Sequence, residues 1–293
     1  MTSAREITHA LGGHWHGRYG LALCPAHGDK RPSLSLSDGS NGRLLLYCHA
    51  GCGFSDIIDR LKGQGLVEGE GNYSMPSPAD LERIRKIEHE EAVRKERFAL
   101  ECWNSALPIH GTIAESYLRH RGITCRLSDK LRFHPNCRHP SGNRFPAMVA
   151  LVEGLQRLGI HRTYLRAEGD GKVDIKPAKA MLGTVAGGAV RLSIGCDKLI
   201  VCEGIETGLS LLSGLVPGFV SVWAALSTSG MKSLSLPDNP GLLTVATDGD
   251  IPGREAGNTL ATRATAAGWK VSLLPAPDGW DWNNVLLVNG AAA

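Results

Sequence analysis

Hydrophobic residues in the C-terminal half come in short, nearly continuous runs closed off by glycine, proline or acids. KLIVC (198–202), GFVSVWAA (218–225), LLTVAT (242–247) and KVSLLP (270–275) are the lengths of strands and do not alternate, which predicts strands buried on both faces. TGLSLLSGL and PGREAGNTLATRATAAG fall around them as helical segments. From about residue 100 to the end, this interleaving predicts a parallel α/β sheet flanked by helices.

The N-terminal pattern differs. SLSLS (33–37) and RLLLYC (43–48) alternate around the turn SDGSNG, the signature of a β-hairpin. GQGLVEGEGNYSMPSP, rich in Gly, Ser and Pro, reads as a linker. Ser77 suits an N-cap and Pro78 the first helical position, with Asp80 in the first turn. The charged stretch that follows has a partial apolar stripe at Leu81, Ile84, Ile87, Val93 and Phe98–Leu100, which predicts a solvated helix packed along one side. At ~1.5 Å per residue it reaches about 40 Å. No internal repeat is visible.

At 293 residues the chain has room for two compact units. Hydrophobic residues at 42% and charged residues at 21% are ordinary for a soluble globular protein. There is no apolar run long enough for a membrane span, and MTSAREITHALGGHWHG lacks the core of a secretory signal, so a cytoplasmic protein without a membrane partner is expected. The net charge of +3 fits a nucleic-acid binder but also many metabolic enzymes, and the partner has to be argued from sites. Eight cysteines in such a chain, three of them clustered with a histidine, point to metal binding rather than disulfides.

Cys24-Pro-Ala-His27 is followed by Cys48-His-Ala-Gly-Cys52, a C-x2-H hook and a C-x3-C hook. Two such hooks on tight turns converge on one tetrahedral zinc, and Gly51 and Gly53 let the backbone turn about it. The hairpin between them makes the unit a zinc ribbon. His49 should point away from the metal, and His14 and His16 read as surface or packing residues. A second group, Cys125, His134, Cys137 and His139, has no hook spacing and reads as an irregular basic loop, structural or in contact with nucleic acid.

The catalytic candidates are acids. Glu203 follows KLIVC, Asp248 and Asp250 follow LLTVAT, and Asp281 follows KVSLLP after a short loop. Each lies at or just past the C-terminal end of a strand, where ligand sites of open α/β sheets form. Clustered carboxylates oppose each other's ionisation. A hard divalent cation resolves this, and phosphate oxygens complete its shell, which favours magnesium (or manganese) and phosphoryl transfer.

Glu203-Gly204, Asp248-Gly-Asp250 with Gly253 and Ala256, and Asp281 resemble the Toprim domain shared by bacterial primases, topoisomerases, some nucleases and recombination-mediator proteins. CPAHGDKRPSLSLS followed by YCHAGC is similar to the CHC-type zinc-binding domain of DnaG-type primases, which selects the primase branch. AESYLRHRGIT (114–124) and then LRFHPN resemble the opening of the primase catalytic core. RFPAMVALV, GIHRTYL and KPAKAMLG follow in the order of that lobe's basic segments. The resemblance covers most of 15–290 and is nearest to the compact primases of phages, plasmids and integrated elements. It departs in the C-x3-C hook, where C-x2-C is usual, and at Asn283 and Asn284, where DnaG-type enzymes carry further acids. A helicase-binding C-terminal domain is not expected.

The resemblance implies a zinc ribbon over 1–65, a linker and charged helix over 66–100, an N-terminal catalytic lobe over 101–194 and a Toprim domain over 195–293. It implies a DNA primase with structural zinc and catalytic magnesium or manganese, acting on a single-stranded DNA template with NTPs. Glu203 would be a metal ligand or general base, and Asp248, Asp250 and Asp281 would hold the metal. Arg162, Lys172, Lys176 and Lys179 are candidates for triphosphate or template, Arg254 for phosphate, and Lys30, Arg31 and Arg43 for template phosphates. AEGDGKVD is not a phosphate loop, since it lacks the first glycine and the hydroxyl residue after the lysine, so a coupled helicase would be a separate chain. Two rivals remain: a Toprim nuclease using the same acids, and a non-catalytic zinc-dependent DNA-binding accessory protein.

Overall fold

The computed structural model describes residues 3–291 apart from 30–31, 40–42, 69–72 and 75–76. Lys30, Arg31, part of the expected linker and the side chains of Leu81 and Ile84 therefore lie outside the described residues. Two compact units divide between Glu90 and Glu91.

The first unit opens with α1 (Ala4–Ala10), capped by Ser3 and Glu6 in a reciprocal capping box. Its sheet runs β1 (His14–Trp15), β2 (Gly20–Ala22), β3 (Leu34–Asp38), β4 (Leu44–Cys48) and β5 (Tyr73–Ser74) in that spatial order, antiparallel except for β5 beside β4. The expected hairpin is β3–β4. α2 (Phe54–Gly63) buries Ile57, Ile58 and Leu61 with Ile7, Leu34, Leu36 and Leu46 in a core of its own. α3 (Pro78–Asn104) starts at the expected proline, where Ser77 Oγ accepts from the Asp80 N–H at 3.2 Å.

α3 crosses into the second unit, and there its contact differs from the expected stripe. Val93, Phe98 and Leu100 are more than 40% exposed, while Ala99 and Trp103, one turn apart, are buried against Val149 and Ile160. The helix therefore docks by a narrow i, i+4 edge near its end.

The second unit holds two five-stranded sheets. β6 (Leu107–Pro108), β7 (Leu131–Arg138), β8 (Arg144–Val152), β9 (Gly159–Tyr164) and β10 (Lys179–Gly183) form an antiparallel meander, with α4 (Ile113–His120) between β6 and β7. The parallel reading from residue 100 onward is thus corrected for this lobe, whose charged and polar strand residues hide the strand pattern. The second sheet has the order β11-β13-β12-β14-β15, formed by Val190–Ser193, Ser221–Ala224, Leu199–Cys202, Leu242–Thr247 and Lys270–Pro275. Its four later strands are parallel and β11 adds an antiparallel edge. α5 (Ile205–Ser210, continuing through a wider turn to Leu215), α6 (Thr228–Ser233), α7 (Ile251–Ala266) and α8 (Trp282–Ala291) flank it. Every residue of β12 is buried, which explains its unbroken apolar run. Among the described residues no helix is long and apolar enough to cross a membrane.

Candidate metal centre and acidic site

The ribbon brings Cys24, His27, Cys48 and Cys52 together, with one ligand atom of each within 4.8 Å of the others. Cys24 follows β2 and Cys48 ends β4, so the sheet sets the hooks side by side. Gly51 at φ +91° turns the second hook in the left-handed region that glycine alone enters freely. His27 Nδ1 lies 3.1 Å from Cys52 Sγ, and Nε2 lies 3.7 Å from Asp29 Oδ1. Asp29 also accepts from the Cys24 N–H at 3.0 Å and Ser33 Oγ at 2.6 Å, so this acid, absent from the sequence reading, orients both members of the first hook.

Burial pushes the Cys24 thiol up to about 12. Against burial, the Cys52 backbone N–H and Ser33 Oγ draw Cys48 down to about 7. Three thiols crowded on one imidazole suit a soft-ligand tetrahedral cation, and this donor set fits structural zinc. His49 is outside the group and packs edge-on to Tyr47. Cys125, His134, Cys137 and His139 do not form such a group among the described residues. Cys137 Sγ instead sits 3.7 Å from Cys102 Sγ, and His139 lies between Ser141 Oγ and the Pro177 carbonyl at 2.8 and 3.0 Å.

In the parallel sheet, Glu203, Asp248 and Asp281 stand beyond the C-terminal ends of β12, β14 and β15. Burial, reinforced by Asp248 and Asp250, pushes Glu203 up. Burial, reinforced by Asp281 and Asp250, pushes Asp248 up to about 6. Thr207 Oγ1 is 3.4 Å from Asp248 Oδ1. Asp250 caps α7, accepting from the Gly253 N–H at 2.7 Å. Asp281 caps α8 and accepts from the Asn284 N–H at 2.8 Å, while Asn284 Oδ1 accepts from the Asp281 N–H at 3.0 Å. Trp282 Nε1 donates to the Thr247 carbonyl at 3.1 Å and so ties the start of α8 to the end of β14.

The two asparagines that depart from the family pattern are thereby accounted for. Asn284 completes a capping box. Asn283 is buried and donates to the Arg121 carbonyl at 2.7 Å and to Ser210 Oγ at 3.0 Å. Both serve the framework.

The basic candidates separate. Lys172 Nζ and Lys179 Nζ lie 3.1 and 3.0 Å from Glu206 Oε1 and Oε2. Tyr117 OH donates to the same Oε1 at 2.8 Å. Against the cost of burial, Lys179 and Lys172 hold Glu206 well below the usual carboxylate range. Lys179 also draws Glu203 and Asp248 downward, which places its charge within reach of the acids. Glu206 stands within the E-G-I-E-T stretch (203–207) that resembles the compact primases, but the sequence assigned it no role of its own.

Arg162 stands apart from these lysines. It pairs with Ala180 in the ladder, whereas Lys179 pairs with Thr163, so strand alternation turns Arg162 to the opposite face. It is buried, donates to the Arg138 and Met181 carbonyls at 2.9 and 3.3 Å, and lines a cavity of about 580 Å³ with Cys102 and Cys137. Lys176 is exposed between β9 and β10, and Arg254 pairs with Asp278.

Residues 198–292 match the Toprim domain family, and residues 93–192 match a family described only as a domain of unknown function. A DNA primase from Halalkalibacterium halodurans is 22% identical over 94% of this chain and 53% of its own length, so the chain spans about half of that curated relative. Among solved structures, the Aquifex aeolicus primase zinc-binding and RNA polymerase domains align with 17% identity and a TM-score of 0.43, covering 100% of this chain and 81% of that one. A Pseudomonas aeruginosa DNA primase domain aligns with 16% identity and a TM-score of 0.40, over 66% of this chain and 74% of that one. Residues 198–292 thus match a Toprim domain, and the chain is similar over 94% of its length to a DNA primase.

Proposed function

We propose that this chain is a DNA primase that makes short RNA primers on single-stranded DNA by metal-dependent nucleotidyl transfer. The observation that carries the reading is the gathering of carboxylates at three strand ends, with Asp248 pushed up to about 6 by burial, Asp281 and Asp250. Mutually opposed acids beside a cationic cluster fit a site that takes a divalent cation together with a triphosphate. Among the described residues these acids do not approach one another as closely as the zinc ligands do. All-oxygen carboxylate donors suit magnesium or manganese, which keep waters and take phosphate oxygens.

When bound, such a cation polarises the phosphoryl oxygens and offsets the charge of the departing pyrophosphate. Asp248, Asp250 and Asp281 would hold it, and Glu203 would act either as a further ligand or as general base toward the primer 3′-hydroxyl. Lys172, Lys179 and Lys176 supply positive charge for the incoming triphosphate, and Arg254 does so at the start of α7. The ribbon, 1–65, reads the template with the help of Arg43, and 66–100 joins it to the catalytic lobe at 101–194 and the Toprim domain at 195–293. In this reading a separate replicative helicase is a further partner.

The test is to incubate the protein with magnesium, labelled NTPs and circular single-stranded DNA, beside Glu203→Gln and Asp248→Asn. Short labelled oligonucleotides from the wild type, reduced at least a hundredfold in each variant, are expected. Cutting of the DNA instead would favour a nuclease. DNA binding without any product would favour a non-catalytic accessory role.

A further inference from the structure

Glu206 lies three residues past Glu203, at the start of α5, and is 5% exposed. A buried carboxylate requires partners for both oxygens, and it has three from three separate segments. Tyr117 comes from α4, Lys172 from the turn after β9, and Lys179 from the first position of β10. Two ammonium groups held at 3.1 and 3.0 Å from one carboxylate would repel each other without it. With it, the group keeps one net positive charge, and Arg121 acts on both lysines as a further cation.

The surroundings are not those of a closed structural salt bridge. His161 Nδ1, Thr163 Oγ1 and Arg121 Nε are buried without a hydrogen-bond partner. Thr163 stands opposite Lys179 in the ladder, and His161 feels the charges of Lys179, Glu206 and Lys172. Unmet hydrogen-bonding capacity and surplus positive charge leave the cluster cationic rather than self-neutralised, and the Lys172 and Lys179 side chains, 29% and 38% exposed, carry that charge to the surface.

We infer that Glu206 is a positioning residue that holds Lys172 and Lys179 together beside the acidic site, so that their ammonium groups grip the polyphosphate of an incoming nucleoside triphosphate. This rests on the nucleotidyl-transfer reading. Glu206 touches neither metal nor nucleotide and acts through the lysines. Removing its charge leaves two buried ammonium groups without a counter-ion, and they separate. The grip on the triphosphate is then lost while Glu203, Asp248 and Asp281 are retained.

Glu206→Gln, Glu206→Asp and Tyr117→Phe are compared with wild type in primer synthesis, in equilibrium binding of a fluorescent ATP analogue with magnesium, and in amine acylation of Lys172 and Lys179 read by mass spectrometry. Glu206→Gln is expected to raise the KM for NTP about tenfold or more with kcat changed much less, and to abolish the protection of both lysines by ATP. Glu206→Asp, which keeps the charge on a shorter arm, should recover part of the affinity. Tyr117→Phe, which removes a single hydrogen bond, should raise KM about threefold and serves if Glu206→Gln does not fold. Wild-type KM and intact ATP protection in folded Glu206→Gln would overturn the inference. If wild type binds ATP and protects its lysines yet makes no primers, the primase reading falls and the lysine grip stands.

Discussion

At the scale of single residues, the acidic site holds protons that the unfolded chain would release. Asp248 stands at about 6 against an ordinary 3.8, because of burial and the neighbouring Asp281 and Asp250. An acid whose folded pKa is raised binds its proton more tightly in the native state, so its contribution falls as pH rises from about 4 to about 6 and stays unfavourable above that. Asp248→Asn removes this penalty. In metal-free protein the variant should melt roughly 3–6 °C higher than wild type at pH 8, corresponding to about 1–2 kcal/mol once solvent screening is allowed for. Below about pH 4 the difference should vanish, and magnesium should narrow it at pH 8 by stabilising wild type alone. Thermal melts across pH, with and without magnesium, check this; equal melting at pH 8 would mean that the carboxylate is not under strain.

At the scale of elements, the site depends on how the segment after β15 is laid across the end of β14. The Gly249 N–H donates to the Trp280 carbonyl at 2.8 Å, and the Gly249 carbonyl accepts from Gly279 at 3.1 Å. A Cβ at Gly249 would be driven into the Pro277 carbonyl, so only glycine permits this approach. Gly249→Ala should push Pro277–Trp280 away and carry Asp281 with it. Under the proposed function, primer synthesis is expected to fall at least tenfold with unchanged zinc content and a stability loss of about 1–3 kcal/mol. Wild-type activity in this variant would show that Asp281 is not placed by that contact. The strands that frame the acids were legible in their bounds. Residues 242–247 and 270–275 form strands with the same bounds as their apolar runs, but only the first is buried on both faces; 270–275 is an exposed edge strand, so its run did not report the two-sided burial expected of it. The antiparallel lobe was not. β7 reads LRFHPNCR and β9 reads GIHRTY, and the polar groups that obscure their period include His161 and Arg162, buried by tertiary contacts the sequence does not display. Glu206 escaped for the same reason, since its partners lie 27 to 89 residues away in the chain.

At the scale of the whole molecule, the two units rest on separate cores and should fail separately. The core of the first unit is built from α1, the hairpin and α2, and Cys24, Cys48 and Cys52 belong to it or pack against it. Zinc binding by such a donor set is worth about 10–16 kcal/mol at neutral pH, more than the stability of a typical small domain, so the fold of this unit is inseparable from its metal. The second unit draws on the large cluster joining α4, the meander and the parallel sheet, with no zinc ligand in it. Calorimetry of the full chain should therefore show two transitions, of which a strong chelator or Cys48→Ser removes one and leaves the other within a few degrees. Limited proteolysis of the chelated protein should degrade residues before Glu90 first. Metal analysis should give one zinc per wild-type chain and none in Cys48→Ser. Under the proposed function, the chelated protein keeps magnesium-dependent ATP binding at the intact second unit but no longer starts primers on a template. A single transition indifferent to chelation would instead make the cysteines ordinary core residues, and template reading would have to be sought elsewhere in the chain.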